Sequence, residues 1–214
     1  MYKERDMKKL VEKYEEFFAE FCKFRGLDPD NDHLKETPHR VVKALLEATS
    51  GYEMEVKSVL GKRFKKLDDD DTNSETFILS DGILVVHNAI PFTSLCAHHL
   101  YPFFGFMYIG MLLRGEIIGL SKVARVVDLF SKRLQVQEEL TSRVATVLTK
   151  HVESCRGVIV VSDAIHGCMS FRGVRKSSVT TCSAITGVFA ENDKGIKQEF
   201  FHLIKRQDLS LVRL

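Results

Sequence analysis

The stretch from Phe103 to Leu113 reads FFGFMYIGMLL and decides the fold class of this 214-residue chain. Aromatic and β-branched residues are typical of strands, and the Arg114-Gly115 pair that follows is typical of a turn. Shorter runs of the same kind, Phe77 to Leu79 and Ile83 to Val86, flank the turn sequence Ser80-Asp81-Gly82. The pattern predicts strands joined by hairpins, and therefore an antiparallel sheet.

Helical periodicity dominates on both sides of this region. Apolar residues three or four apart predict helices, with Thr37 and Ser121 as caps and Pro38 in a first turn. The predicted helices are Met7 to Phe24, Thr37 to about Gly51, Ser121 to Arg133, Val136 to about Glu153 and Gln198 to Lys205. The further predicted strands are Gly157 to Ile165, Met169 to Val174 and Val179 to Phe189. Since strands and helices are grouped rather than alternating, the sequence favours an α+β fold.

The chain divides by composition into three parts. We expect a helical region over residues 1–60, a polar loop over residues 61–75 and the main domain over residues 76–214. The loop contains a basic block, Lys62 to Lys66, and an acidic block, Asp68 to Asp71, which are typical of a solvated segment. A chain of this length can bury one sizeable core.

Overall charge and cysteine usage exclude several classes of protein. Lys and Arg number 31 against 29 for Asp and Glu, so the net charge of +2 does not indicate a nucleic-acid or membrane-surface binder. The five cysteines are an odd number, and a charged N-terminus precedes them, which argues against a secreted disulfide framework. No apolar run reaches the ~18 residues of a membrane span. We expect a reduced, cytoplasmic protein.

Thiol and imidazole groups are concentrated in two short motifs. Ser94 to His99 reads SLCAHH, and His166-Gly167-Cys168 follows downstream. A Cys-x-x-His turn can present both side chains to one Zn²⁺ ion, with a further Cys arriving from another strand. Cys96, His99 and Cys168 would then be three ligands, with a fourth position open to water whose pKa falls to around 7.

Two other interpretations of these residues stay open. A closed structural site would take His98, His166 or Cys182 as its fourth ligand. Alternatively, the residues are ordinary core cysteines and histidines. Since neighbouring residues on an extended chain point to opposite faces, we expect His98 to face substrate when His99 binds metal. His98 and His166 both have side chains that can exchange protons near neutral pH.

A candidate anion site lies at the start of a predicted helix. Ser121, Lys122 and Arg125 fall within its first turns, where exposed N–H groups favour phosphate and cations oppose the helix dipole. Arg172 could point at the same anion. The alternative is an ordinary solvated basic face. Farther along, the amide and carboxylate of Gln137 and Glu138 could read a purine edge, although Glu138 also suits a helix N-terminus.

Four of these motifs, in this order and spacing, resemble the GTP cyclohydrolase I family. The resemblance runs from about Thr37-Pro38-His39-Arg40 to the end of the chain. The motifs are Ser94 to His99, Gly119 to Arg125, Arg133 to Thr141, and His166 to Val174.

The resemblance implies a zinc-dependent enzyme that converts GTP and water to 7,8-dihydroneopterin triphosphate and formate, the entry to folate or tetrahydrobiopterin synthesis. It implies that Cys96, His99 and Cys168 hold zinc, that His166 protonates the imidazole nitrogen, and that His98 assists proton transfer near the ribose. By the same resemblance, Gln137 and Glu138 hold the guanine edge. The implied triphosphate ligands are Ser121, Lys122, Arg125, Arg172 and Arg40.

The resemblance also implies an architecture. The family has a tunnelling fold, in which antiparallel sheets with two helices on one side close into a barrel across subunits. It implies a homodecamer of two stacked pentamers with active sites between subunits, so that Arg40 comes from a neighbour. Closure across chains would also protect the edges of the strands.

Ala97 departs from the family pattern, which is Cys-Glu-His-His at this point. Loss of a group that supports metal ligands typically weakens metal affinity or activity ~10–100-fold. Ala97 makes one rival function conceivable, an inactive purine-binding paralogue with a regulatory role. Two other rivals remain: another tunnelling-fold enzyme acting on a pterin or deazaguanine, and a structural-zinc interaction module.

Overall fold

The computed structural model describes residues 4–61, 63–64, 82–114, 117–191 and 194–205. They form a mixed α+β structure, as predicted, in which a five-stranded sheet carries helices on its faces. The elements are α1 (Glu4–Arg25), α2 (Thr37–Ala48), a 3₁₀ turn (Ser50–Glu53), α3 (Val56–Leu60), β1 (Arg63–Phe64), β2 (Ile83–Cys96), β3 (Pro102–Leu113), β4 (Ile117–Ile118), α4 (Leu120–Ser131), β5 (Leu134–Gln135), α5 (Gln137–His151), β6 (Cys155–His166), α6 (Gly167–Ser170), β7 (Val179–Gly187) and α7 (Lys194–Leu203).

The main sheet has the strand order β5-β2-β3-β6-β7. Its long strands pair antiparallel, and only the short β5 runs parallel to its neighbour, at Leu95 and Cys96 of β2. The two central strands, β3 and β6, are buried along most of their length because both faces of the sheet are covered. This double coverage explains why their sequences are continuous apolar runs rather than alternating ones.

The two faces of the sheet carry cores of different size. On one face, α4 and α5 contribute to the larger core, which contains Val144 of α5 together with Val160 of β6. On the other face, Phe200 of α7 belongs to a smaller core with Tyr108 of β3. Gly110 permits the close approach of α7, since a Cβ there would lie 2.5 Å from a ring carbon of Phe200.

Strand β2 is much longer than the predicted run of Ile83 to Val86. It continues to Cys96, with a β-bulge between His87 and Ile90 and a left-handed residue, Ala89, inside the bulge. Among the described residues, its outer edge pairs only with β5. An edge strand tolerates polar residues and Pro91, which concealed the strand in the sequence pattern.

The prediction of a strand from Met169 to Val174 is wrong. The chain instead forms the helical turn α6, with Phe171 N–H donating to the Gly167 carbonyl at 2.9 Å. Strand β6 already has β3 and β7 as neighbours, so an apolar segment directly after it has no open place beside β6 in the sheet. The turn instead reverses the chain, and Gly173 follows in a left-handed conformation.

Several local predictions differ in detail. Helices α2 and α4 begin after Glu36 and Gly119, without a side-chain cap, so Thr37 and Ser121 do not cap them. Pro38 does lie in the first turn of α2. The last helix lies a few residues earlier than predicted. The predicted strand Phe77 to Leu79 and most of the predicted loop 61–75 lie outside the described residues, although β1 lies within that loop range and pairs with β4.

Helix α1 confirms the predicted amphipathic helix and packs on α2. Cys22 is fully buried, whereas Phe17, Phe21 and Phe24 remain exposed. Within the described part of the chain, no helix combines the length and apolar character needed to cross a membrane.

Candidate metal centre and active site

The hairpin loop between β2 and β3 brings Cys96 and His99 together. The Cys96 carbonyl accepts hydrogen bonds from the N–H groups of His99 (3.2 Å) and Leu100 (2.8 Å), which closes one helical turn. Leu100 adopts a left-handed conformation that returns the chain to β3. As a result, Nδ1 of His99 lies 3.6 Å from Sγ of Cys96.

Cys168 reaches the same place from β6. His166, the last residue of β6, lies opposite Phe103 at the start of β3, so α6 begins beside the hairpin loop. Gly167 allows the close approach, since a Cβ there would lie 2.7 Å from the Pro102 carbonyl oxygen. One ligand atom from each of Cys96, His99 and Cys168 lies within 4.8 Å of the others. We call these residues the Cys-His-Cys cluster.

The cluster fits a zinc ion in both geometry and donor chemistry. Zinc binds sulfur at ≈ 2.3 Å and imidazole nitrogen at ≈ 2.0–2.1 Å, so a sulfur and a nitrogen on one tetrahedral ion lie about 3.6 Å apart. The Cys96–His99 separation of 3.6 Å matches this edge. Within the described residues the cluster has three members, and His98, His166 and Cys182 are not among them. Three protein ligands are the number that catalytic zinc sites use.

The surroundings of the Cys168 thiol in the cluster favour its protonated form. Burial raises the pKa of the Cys168 thiol, and the neighbouring Cys96 raises it further through charge and a hydrogen bond. The positive charge of Arg172 acts in the opposite direction and lowers this pKa. Since metal binding requires thiolates, a cation at the cluster would offset the cost of ionising two adjacent sulfurs.

His166 lies beside the cluster and is held on two sides. Its ring stacks on Phe103 with centroids 4.7 Å apart and planes 4° from parallel. Its Nε2 lies 2.7 Å from Oε1 of Gln137. Burial lowers the pKa of His166, and the negative charge of Glu138 acts against that shift. His98 is exposed on the hairpin loop, with its ring edge-on to His99 at 6.0 Å.

Gln137 and Glu138 have different environments, although both begin α5. The Glu138 side chain is exposed, and its negative charge counteracts the lowering of the His166 pKa by burial. The pKa of the Cys182 thiol is raised mainly by burial and further by the charge of Glu138. Gln137 is only 1% exposed, and both its amide nitrogen and its amide oxygen are hydrogen-bonded to other protein groups. Glu138 is therefore available to a ligand, whereas the side chain of Gln137 faces the protein interior.

The predicted triphosphate residues lie apart from the cluster of the same chain. Ser121, Lys122 and Arg125 are at the beginning of α4, and the end of α4 leads to β5, which pairs with Cys96. Nine residues separate Lys122 from Ser131, which is about 14 Å along a helix axis. Arg40 is exposed on α2. Among the predicted anion-binding residues, only Arg172 has a described interaction with the cluster, through its charge on Cys168.

Sequence reasoning missed the residues behind His166, which are Phe103, Thr141, Ser162 and Thr180. Two signals were present. Ser162 interrupts the apolar run of β6, and Thr141 lies four residues after Gln137, on the same face of α5. Both polar side chains are buried, which requires hydrogen-bond partners.

Comparison with known proteins gives a consistent result. The family model for GTP cyclohydrolase I matches residues 14–205. GTP cyclohydrolase 1 of Campylobacter jejuni subsp. doylei is 39% identical over 196 residues, which cover 91% of this chain and 96% of that protein. GTP cyclohydrolase 1 of Hyperthermus butylicus is 38% identical over 187 residues, 87% of each chain. On these matches and its Cys-His-Cys cluster, the chain belongs to the GTP cyclohydrolase I family of enzymes.

Proposed function

We propose that this enzyme converts GTP and water to 7,8-dihydroneopterin triphosphate and formate, and that it requires zinc. The observation that carries the proposal is the Cys-His-Cys cluster with His166 beside it, in a chain of this family. The product would enter folate or tetrahydrobiopterin synthesis.

Cys96, His99 and Cys168 would hold the zinc ion. When bound, zinc supplies a Lewis acid that makes water a nucleophile near neutral pH. Backbone hydrogen bonds within the hairpin loop and α6 support this arrangement of the three ligand atoms. Ligand atoms supported in this way lower the cost of assembling the site.

His166 and Glu138 are the groups placed to act on the guanine base. His166 would protonate the imidazole nitrogen of the opening ring from Nδ1, after taking up a second proton there to become imidazolium, because its Nε2 is engaged by Gln137. The exposed carboxylate of Glu138 would accept hydrogen bonds from the donor edge of guanine. His98, exposed on the hairpin loop, would assist proton transfer near the ribose.

The triphosphate would bind between copies of the chain. Arg172 lies near the cluster in its own chain, whereas Ser121, Lys122 and Arg125 are at the far end of α4. A neighbouring copy would therefore supply these three residues, and Arg40 would also come from a neighbour. The edge strand β7 and the outer edge of β2 support a barrel that closes across subunits, in a decamer of two pentamers.

Turnover of GTP tests the proposal directly. Purified protein with zinc should release one formate per GTP and yield a pterin that becomes fluorescent after oxidation. Removing zinc with a chelator should abolish both signals, and adding it back should restore them. Absence of formate with zinc bound in stoichiometric amount would overturn the proposal.

One rival is favoured by a specific residue. Ala97 stands where the family has Glu, and its side chain is exposed on the hairpin loop. A purine-binding paralogue without activity would bind GTP and zinc but release no formate. The cluster forms with Ala97 in place, which both functions require, so release of formate decides between them. Ala97→Glu should raise turnover if the missing carboxylate limits the reaction.

A further inference from the structure

We infer that Gln137 is a positioning residue, which holds His166 in a single orientation and tautomer, and that its side chain does not bind guanine. The catalytic role of His166 rests on the proposed function. The geometry of the Gln137–His166 pair does not.

The orientation of the Gln137 amide follows from its neighbours. The atom assigned as Nε2 lies 3.1 Å from the Ser162 carbonyl oxygen and 3.0 Å from the Thr180 carbonyl oxygen. Carbonyl oxygens accept hydrogen bonds and cannot donate them. This atom must therefore be the amide nitrogen, and the amide oxygen must point the other way, toward His166.

Two buried hydroxyl groups reinforce this orientation. Thr141 donates to the Gln137 main-chain carbonyl at 2.7 Å, so its only hydrogen is used. The Ser162 hydroxyl, 2.8 Å from Thr141 Oγ, must then donate to Thr141. It can only accept from Gln137 Nε2 at 3.1 Å, sharing one of the two amide hydrogens with the Ser162 carbonyl. Gln137, Thr141 and Ser162 are at most 1% exposed, so a reversed amide would leave buried polar groups unpartnered.

The amide oxygen in turn determines the tautomer of His166. Because Gln137 Oε1 can only accept, the 2.7 Å contact requires the hydrogen of neutral His166 to lie on Nε2. Stacking on Phe103 restricts rotation of the ring. Nδ1, which has no hydrogen-bond partner within the described residues, is then the atom left to exchange a proton with substrate.

Three possible roles of Gln137 predict different effects when its side chain is removed. If Gln137 were purely structural, its loss would reduce stability without changing the tautomer of His166. If it bound guanine, its loss would raise KM for GTP. A positioning role predicts a changed tautomer and a reduced kcat.

The test uses the zinc-loaded enzyme labelled with ¹⁵N-histidine and studied by solid-state NMR, in which the ring nitrogens report their own protonation. The His166 signals are assigned by their loss in His166→Asn. In the wild type we expect Nε2 protonated and Nδ1 unprotonated. In Gln137→Met, which keeps the length of the side chain, we expect a mixture of both tautomers. We also expect kcat to fall ~10–100-fold, as for other losses of supporting groups, with little change in KM.

Glu138→Gln is the matched control, because it alters the neighbouring candidate guanine ligand. It should raise KM and leave the His166 tautomer unchanged. A wild-type spectrum with Nδ1 protonated and Nε2 unprotonated would overturn the inference, as would Gln137→Met with the wild-type tautomer. If Gln137→Met does not fold, the wild-type spectrum still decides the tautomer of His166. Ser162→Ala then serves as a second variant, because it removes a hydrogen-bond partner of the Gln137 amide, and it should reduce kcat. Since the spectrum requires no turnover, an inactive wild type would contradict the proposed function without affecting this result.

Discussion

The two parts of the proposed active site differ in how completely one chain builds them. At the cluster end of the sheet, three ligand atoms converge within 4.8 Å, and the adjacent His166 is held by a buried hydrogen-bond network. At the start of α4, Lys122 and Arg125 stand near a helix N-terminus with no hydrogen bond or ion pair from their side chains to other described residues.

This difference indicates that one part of the site forms within a single chain and that the other requires a second copy. The ligand atoms of the cluster all come from one chain, because the elements that carry them are neighbours in one sheet. The α4 cations oppose the helix dipole, which costs up to about 1 kcal/mol each at an exposed helix end. An anion would reverse that cost. Lys122 and Arg125 lie about 14 and 9 Å along the helix axis from Ser131, the end of α4 that leads to β5 and Cys96. The comparison therefore predicts a site that is complete only between copies.

Replacing a metal ligand should have the largest effect. Cys168→Ser should lose stoichiometric zinc and reduce GTP turnover more than about 100-fold, because even the loss of supporting groups costs ~10–100-fold. The measurement is elemental analysis together with formate release. Cys155→Ser is the control, since Cys155 lies outside the cluster and burial raises its thiol pKa to about 11. If Cys168→Ser kept both its zinc and its GTP turnover, the cluster would not be the metal site. The contrast between the cluster and the start of α4 would then be lost.

Mixing two inactive variants tests whether the site spans two copies. Cys96→Ser disables the cluster, and Lys122→Ala with Arg125→Ala should lower turnover at least about 100-fold, since each contact to a charged group contributes about 1.5–3 kcal/mol. If clusters and cations come from different copies, random co-assembly in equal amounts should restore about a quarter of the sites. Turnover of co-expressed, differently tagged chains measures this. No recovery in verified mixed oligomers would place the whole site within one chain.

Neutralising Glu138 should have an intermediate effect. Glu138→Gln should lower kcat/KM for GTP ~10–100-fold, mainly through KM, because a hydrogen bond to a charged group contributes about 1.5–3 kcal/mol. Glu139→Gln is the matched control. Glu139 pairs with Arg143 at 2.8 Å on the surface, and such pairs contribute about 0.3–0.5 kcal/mol. Equal KM effects in the two variants would contradict a guanine-binding role for Glu138.

The smallest expected effect concerns the network behind His166. Thr141→Val should lower the free energy of unfolding by about 1–3 kcal/mol, because Gln137 and Ser162 lose a buried partner. Thr149→Val removes a comparable half-buried hydroxyl, which contacts Ala145 and Thr186. Both variants should be destabilised in urea unfolding, but only Thr141→Val should also reduce kcat. A kcat that falls equally in both would show a general loss of stability.

Much of the fold could be predicted from local patterns. The periodicity of α4 and α5 and the apolar runs of β3 and β6 identified them, because these elements bury continuous surfaces. Strand β2 was only partly predicted, since its edge position tolerates His87, Pro91 and Thr93. The segment after Cys168 was predicted as a strand from its composition, but the sheet offers it no neighbour.

The sequence by itself determined the donor set of the candidate metal centre, because thiol and imidazole groups at Cys-x-x-His spacing are suited to bind one metal ion. It also determined the α+β class through the grouping of apolar runs. Only the tertiary structure decided that Gln137 faces Ser162 and His166 while Glu138 faces outward. Adjacent residues on a helix point about 100° apart, so packing of α5 on the sheet, and not residue type, selects which of the two is buried.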